Sequence, residues 1–135
     1  MKKIVIIDDS EHFLEILRTR LLNYGYENFM IARSANEGLY KIKIEKPDIA
    51  VVSTKLSDMD GFMFCQKIKE IAPAVSVILM TGMAERADLA KAKSAGADDY
   101  AVKTFDCLVL LAAIKKAAFM IENPPVPQEK IIPTV

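Results

Sequence analysis

The sequence predicts an α/β domain in three layers, with a parallel sheet between helices. Two observations carry this expectation: short apolar runs alternate with amphipathic segments five times along the chain, and the first and third runs are apolar throughout, with no polar side. Alternation of this kind demands parallel strands joined by right-handed helical crossovers, with helices covering both faces. Strands buried on both faces read as continuous apolar runs. Size agrees, because 135 residues suit one domain: domains cluster near about 100–150 residues and bury roughly two-thirds of their unfolded surface.

The elements follow in order. Ile4-Val5-Ile6-Ile7 is a β-branched run that stops at Asp8-Asp9-Ser10, a strand leading into a helix start. Leu14, Leu17, Leu21 and Tyr24 recur at spacings of three and four, which predicts an amphipathic helix between Ser10 and Gly25. Tyr26 to Ile31 is the second strand, and Ser34 caps a helix carrying Ala35, Leu39 and Ile42 that Pro47 stops. Ile49 to Val52 is the third strand, followed by the polar stretch Ser53 to Asp60. Gly61 to Ile71 is helical by period, with Phe64, Ile68 and Ile71 on one side and Pro73 closing it. Val75 to Met80 is the fourth strand. Ala84 to Ala95 has helix-forming composition, with Gly96 placed for a left-handed terminating residue. Tyr100 to Val102 is the fifth strand and Phe105 to Ile121 the last helix. Four of the six prolines fall from Asn123 onward, so 1–122 reads as the domain and 123–135 as a Pro-rich tail or linker.

Composition excludes several functions. Eighteen basic residues against eighteen acidic ones leave no net charge, so no whole-molecule field draws the chain to nucleic acid or an anionic membrane. The apolar runs fall far short of the ~20 residues of a membrane span, and the expected location is cytoplasmic. Cys65 and Cys107 show neither a disulfide framework nor metal-ligand spacing, and read as reduced packing thiols on opposite faces of the sheet. His12, the one histidine, reads as a solvated surface group in the first turn of the first helix. The seven methionines read as core filling.

In an open parallel sheet the binding crevice lies beyond the carboxyl ends of the strands. The residues at those ends are Asp8 and Asp9, Ser53, Thr81 and Lys103, which together form a small polar cluster on an apolar scaffold. A blander role for Asp8 and Asp9 is capping of the first helix, but one aspartate suffices for that.

The motifs Ile-Ile-Asp8-Asp9-Ser10, Lys46-Pro47-Asp48-Ile49, Met59-Asp60-Gly61-Phe62, Met80-Thr81-Gly82 and Gly96-Ala97-Asp98-Asp99-Tyr100-Ala101-Val102-Lys103 occur in this order. With them the chain, from residue 1 to about 122, resembles a response-regulator receiver domain of two-component phosphorelay signalling, as in the chemotaxis regulator. The resemblance implies a flavodoxin-like three-layer sandwich, with five parallel strands in order 2-1-3-4-5 and five helices. It implies that the paired acids Asp8 and Asp9 hold Mg²⁺, that Lys103 pairs with phosphoryl oxygens, and that Thr81 and Tyr100 relay a switch. It also implies that the face made by the fourth helix, fifth strand and fifth helix meets a partner: a histidine kinase, an effector, or a second copy in a homodimer.

The departures from that pattern bear on function. The family's phosphoacceptor aspartate lies seven residues before the Asp-Gly pair, and counting back from Asp60 lands on Ser53. A serine hydroxyl is neutral where a carboxylate nucleophile is ionised, and no histidine stands near to serve as base. Asp58 and Asp60 lie several residues past the strand end and do not replace it. Ser57 and Thr104 stand where the family commonly has prolines. A cis bond before a non-proline costs about 2.5–4 kcal/mol, so the Lys103–Thr104 bond is expected trans, with Lys103 aimed differently. Removing one of three anionic ligands predicts weak or absent Mg²⁺. Without the metal the paired acids need another cation, and Lys103 or Lys55 is expected in its place.

The last helix carries two apolar stripes. Leu108, Leu111, Ile114, Ala118 and Ile121 make one, and Leu110, Ala113, Ala117 and Met120 make a second. One stripe is enough to dock on a sheet, so the second, with Phe119, is expected to be a partner surface unless the tail covers it. The expected function is therefore a receiver domain that is not phosphorylated at the usual position and acts by protein–protein interaction, without enzymatic activity. A second reading is a conventional receiver carrying an engineered change at Ser53. A third, a flavin-binding flavodoxin, is disfavoured because Asp8 and Asp9 repel a phosphate after the first strand.

Overall fold

The computed structural model describes residues 2–82 and 86–126. Its elements run β1 (Ile4–Ile7), α1 (Glu11–Asn23), β2 (Phe29–Ala32), α2 (Ala35–Glu45), β3 (Ile49–Ser53), α3 (Gly61–Ile71), β4 (Ser76–Thr81), α4 (Arg86–Ser94), β5 (Asp99–Val102) and α5 (Leu108–Glu122). All strands are parallel, in the order β2-β1-β3-β4-β5. The predicted three-layer fold and strand order are therefore what forms.

Strand alternation divides the core in two. Ile4, Ile6, Ile49, Val51, Ile78 and Met80 face α1 and α5, while Val5, Ile7, Ala50, Val52, Val77 and Leu79 face α2, α3 and α4. Both sets are buried, as continuous apolar strands require. Each Ile, Val, Leu or Met side chain taken from water here contributes about 1.5–3 kcal/mol. Cys65 belongs to one half of the core and Cys107 to the other, on opposite faces as expected.

Two boundaries depart clearly from the periodicity. The second strand starts at Phe29 rather than Tyr26, because the Tyr26 N–H closes α1 by donating to the Leu21 carbonyl at 2.9 Å instead of joining the sheet. The last helix starts at Leu108 rather than Phe105. Asp106 Oδ1 accepts from the Thr104 hydroxyl at 2.7 Å and from the Leu108 N–H at 3.1 Å, making a tight turn first. The fourth helix agrees at its end, where Gly96 has φ +83° and donates its N–H to Lys93. Its predicted first residues, with Met83, lie partly outside the described residues, as does most of the predicted tail.

The predicted partner stripe on the last helix needs correction. Leu110, Ala113 and Ala117 are buried, at 1%, 7% and 8% exposure, and only Met120 of that stripe is open, at 43%. The reason is geometric: α5 lies across β3, β4 and β5, so a broad arc that includes Leu110, Leu111, Ala113, Ile114 and Ala117 meets the sheet. The inner halves of both stripes are core. Leu108, expected to dock, is half exposed instead. Among the described residues, no helix is long and apolar enough to cross a membrane.

Candidate functional site

The carboxyl ends of β1, β3, β4 and β5 converge on one edge. Asp8 follows β1 and is fully buried. Its backbone N–H still bonds the Ala32 carbonyl at 3.0 Å, and its Oδ1 accepts from the Ser10 N–H at 2.9 Å. That bond turns the chain into α1, whose N-cap is Ser10, with its side chain accepting from Phe13 N–H. Neither aspartate is the cap. Asp9, by contrast, is exposed and lines a cleft of about 500 Å³.

Ser53 is the last residue of β3 and 3% exposed. Its hydroxyl donates to the Lys55 carbonyl at 3.1 Å and accepts from the Lys55 N–H at 3.4 Å, a local turn that the short side chain makes with its own backbone. Lys103 follows β5, and its N–H donates to the Thr81 carbonyl at 2.7 Å, which holds the end of β5 to β4. From there its ammonium reaches across two strands. It lies 2.7 Å from Asp8 Oδ2, angled as a charge contact more than an aligned hydrogen bond. It also donates to Ser53 Oγ at 3.3 Å, and it stands 5.0 Å from the centre of the Phe13 ring. The Lys103–Thr104 bond is trans, as expected. Lys103 nevertheless aims into the cluster.

The 3.3 Å contact between Ser53 and Lys103 has the look of a nucleophile and its base, but the proton runs the other way. An ammonium paired with a buried carboxylate offers no lone pair, and the serine proton is directed at the Lys55 carbonyl. Lys55 itself is exposed at the cleft, and among the described residues its ammonium makes no ion pair with Asp8 or Asp9. Of the two expected cations, Lys103 is the one that pairs.

The remaining residues find other places. Thr81 ends β4, is 5% exposed and lines the cleft. Tyr100 lies in β5 opposite Leu79, half-buried against the core half formed with α2, α3 and α4. His12 is exposed beside a groove of about 210 Å³ that includes Phe13 and Phe105. Asp60 caps α3, accepting from the N–H groups of Phe62 and Met63 at 2.8 and 3.1 Å. Asp58 accepts from Ala35 and Asn36 N–H at 2.9 and 3.0 Å, and these bonds at the start of α2 hold its carboxyl below the usual range. Both loop acids are thus engaged by helix ends.

Sequence reasoning missed part of the cleft wall. Thr54, Phe62, Asp88 and Lys91 also line it, with Lys91 5.8 Å from the Phe62 ring centre. Only the helix packing brings these together. The Phe13 contact with Lys103 was equally hidden, because Phe13 reads as one more apolar residue in the first helix.

Comparison with known proteins agrees with this geometry. Residues 4–115 match the response regulator receiver domain family. The chain is 33% identical over 123 residues to "Probable transcriptional regulator ycf27" of Cyanophora paradoxa, covering 91% of this chain and 51% of that protein. It is 33% identical over 112 residues to the transcriptional regulatory protein YvrH of Bacillus subtilis, covering 83% and 47%. The chain thus spans about half the length of these curated relatives. Among solved structures, a CheY-like response regulator receiver domain protein from Methanospirillum hungatei superposes with a TM-score of 0.83 at 34% identity, over 93% of this chain and 99% of that one. The motif order, the strand order and these matches agree: the chain belongs to the response regulator receiver domain family of two-component systems.

Proposed function

We propose that this receiver domain works as a protein-interaction module and is not phosphorylated at the usual strand-end position. The observation that carries the reading is the Ser53 hydroxyl, buried at the end of β3 and donating its proton to the Lys55 carbonyl. Forming an aspartyl phosphate needs an ionised carboxylate as nucleophile. A neutral hydroxyl that donates its proton to the Lys55 carbonyl and accepts from the Lys103 ammonium does not supply one.

The donor set also fits Mg²⁺ poorly. Magnesium asks for hard anionic oxygens in near-octahedral geometry. Here Asp8 is already paired with Lys103, Asp9 is exposed, and the third position is a neutral oxygen committed to the Lys55 backbone. When bound in this family, the metal offsets charge on a transferring phosphoryl group. In this chain the residues serve instead to close the sheet edge on itself.

Recognition then falls to the face of α4, β5 and α5. Leu89 and Met120 are exposed there, and Asp98, Asp99 and Lys116 border a depression of about 250 Å³ beside Met120. An apolar centre with both signs of charge around it suits a folded protein partner. A kinase, an effector domain or a second copy each meets that description.

The test is incubation of the chain with Mg²⁺ and a small-molecule phosphodonor, read by intact mass beside Ser53→Asp. The expected result is no phosphate increment on the unaltered chain and an increment on Ser53→Asp. A phosphoryl adduct on the unaltered chain overturns the reading.

A further inference from the structure

We propose that the Lys103 ammonium is the resident cation of this sheet edge and that it excludes a divalent ion from it. The inference rests on the reading of Ser53 above and extends it from the missing nucleophile to the charge balance of the whole cluster.

Asp8 has no exposure, and a carboxylate so placed needs a positive charge beside it. Lys103 supplies that charge at 2.7 Å from Asp8 Oδ2, and the ammonium's other contacts are the Ser53 oxygen at 3.3 Å and the Phe13 ring at 5.0 Å. Its side chain is 18% exposed, so the protein supplies most of its surroundings. Asp8 Oδ1 is held by the Ser10 N–H. Both carboxylate oxygens are therefore engaged.

The residue at position 53 decides whether one lysine is enough. With serine there, the buried cluster holds one negative charge, on Asp8, and one positive charge, on Lys103. The count closes. With a carboxylate at position 53, two anions would face one ammonium, and the unbalanced charge is what a divalent ion would neutralise. Asp9 does not alter the balance, because it lies in water at the cleft. Lys103 also differs from a dissolved ion in being delivered by the fold: its backbone is bonded to Thr81, so the cation arrives whenever β5 pairs with β4. A divalent ion would have to displace a charge attached to the chain, and would lose it only to a neighbouring position.

The experiment uses the full chain with Mn²⁺ as the probe. Paramagnetic broadening of backbone amide signals near Asp8 and Asp9 reports binding, and thermal unfolding with and without Mg²⁺ reports linkage. The unaltered chain is expected to show no saturable broadening there and a melting temperature that Mg²⁺ leaves unmoved. Lys103→Met, which vacates the cation position, and Ser53→Asp, which adds an anion while keeping Lys103, are each expected to bind Mn²⁺ at least about tenfold more tightly. Lys103→Met leaves Asp8 without a counter-charge, so if this variant folds only when Mg²⁺ is added, that rescue counts as the expected gain. Adding Asp8→Asn to Ser53→Asp should remove most of what was gained. The proposal is overturned if the unaltered chain binds Mn²⁺ as tightly as the two variants, or if neither variant gains. That failure is separable from failure of the functional reading, which turns only on a phosphoryl adduct on the unaltered chain.

Discussion

The Ser53 carbonyl oxygen occupies the space that a β-carbon on Gly61 would fill, with Thr54 Cα only 2.6 Å from the same point. Helix α3 therefore starts in contact with the backbone that ends β3, and the Gly61 N–H completes the junction by donating to the Thr54 carbonyl at 3.0 Å. The Asp-Gly pair has a physical division of labour. Asp60 caps the helix, and Gly61 lets its first turn touch the strand that carries Ser53.

Gly61→Ala is the direct test of that junction. The obstructing atoms belong to backbone, so no side-chain rotation relieves them, and overpacking of this kind costs about 1–3 kcal/mol, here toward the upper end. Urea unfolding should show the loss, and amide shifts at Ser53 and Lys55 should move with it. An unchanged midpoint would mean that α3 does not approach β3 this closely.

Asp58 makes a second prediction, this one dependent on pH. The N–H groups of Ala35 and Asn36 hold its carboxyl below the ordinary value of 3.8 in the folded chain. A depressed folded value means stability present above the unfolded value and lost as pH falls through the folded one. Asp58→Asn should destabilise the chain by about 1 kcal/mol or less at neutral pH, since the site is exposed and screened. Measured by urea unfolding across pH, the gap between the two chains should close as the medium falls below about pH 4. A gap that is the same at every pH would assign the loss to shape and not to charge.

Much of this was legible in the sequence, and for a physical reason. Strands buried on both faces are continuous apolar runs, so Ile4–Ile7, Ile49–Val52 and Val75–Met80 announced themselves, and with them the edge on which Asp8, Ser53, Thr81 and Lys103 meet. A helix stripe is a weaker signal. Leu110, Ala113 and Ala117 share a period that marks an apolar face but does not say how wide an arc the sheet covers, and that width depends on how α5 crosses three strands. Contacts between distant elements left no local trace at all. The seat of Asp58 at the start of α2 and the ring of Phe13 beside Lys103 follow from packing that no spacing encodes.

The thiols provide the last prediction. Cys65 has no exposure, its Sγ lies 3.7 Å from the Ala95 carbonyl, and burial first, then the charge of Asp98, pushes its pKa up to about 11. At neutral pH about one such thiol in ten thousand is ionised, and the thiolate is the reactive form. Burial raises Cys107 as well, with its thiol directed at the Thr104 carbonyl at 3.4 Å. Alkylation of the native chain at neutral pH should therefore be slower than that of the urea-unfolded chain by at least about 100-fold for both thiols, with the residual rate following opening of the structure. Mass-resolved iodoacetamide labelling distinguishes the two cysteines. Rapid labelling of Cys65 in the folded chain would place α3 further from the turn after α4 than the 3.7 Å contact with Ala95 allows.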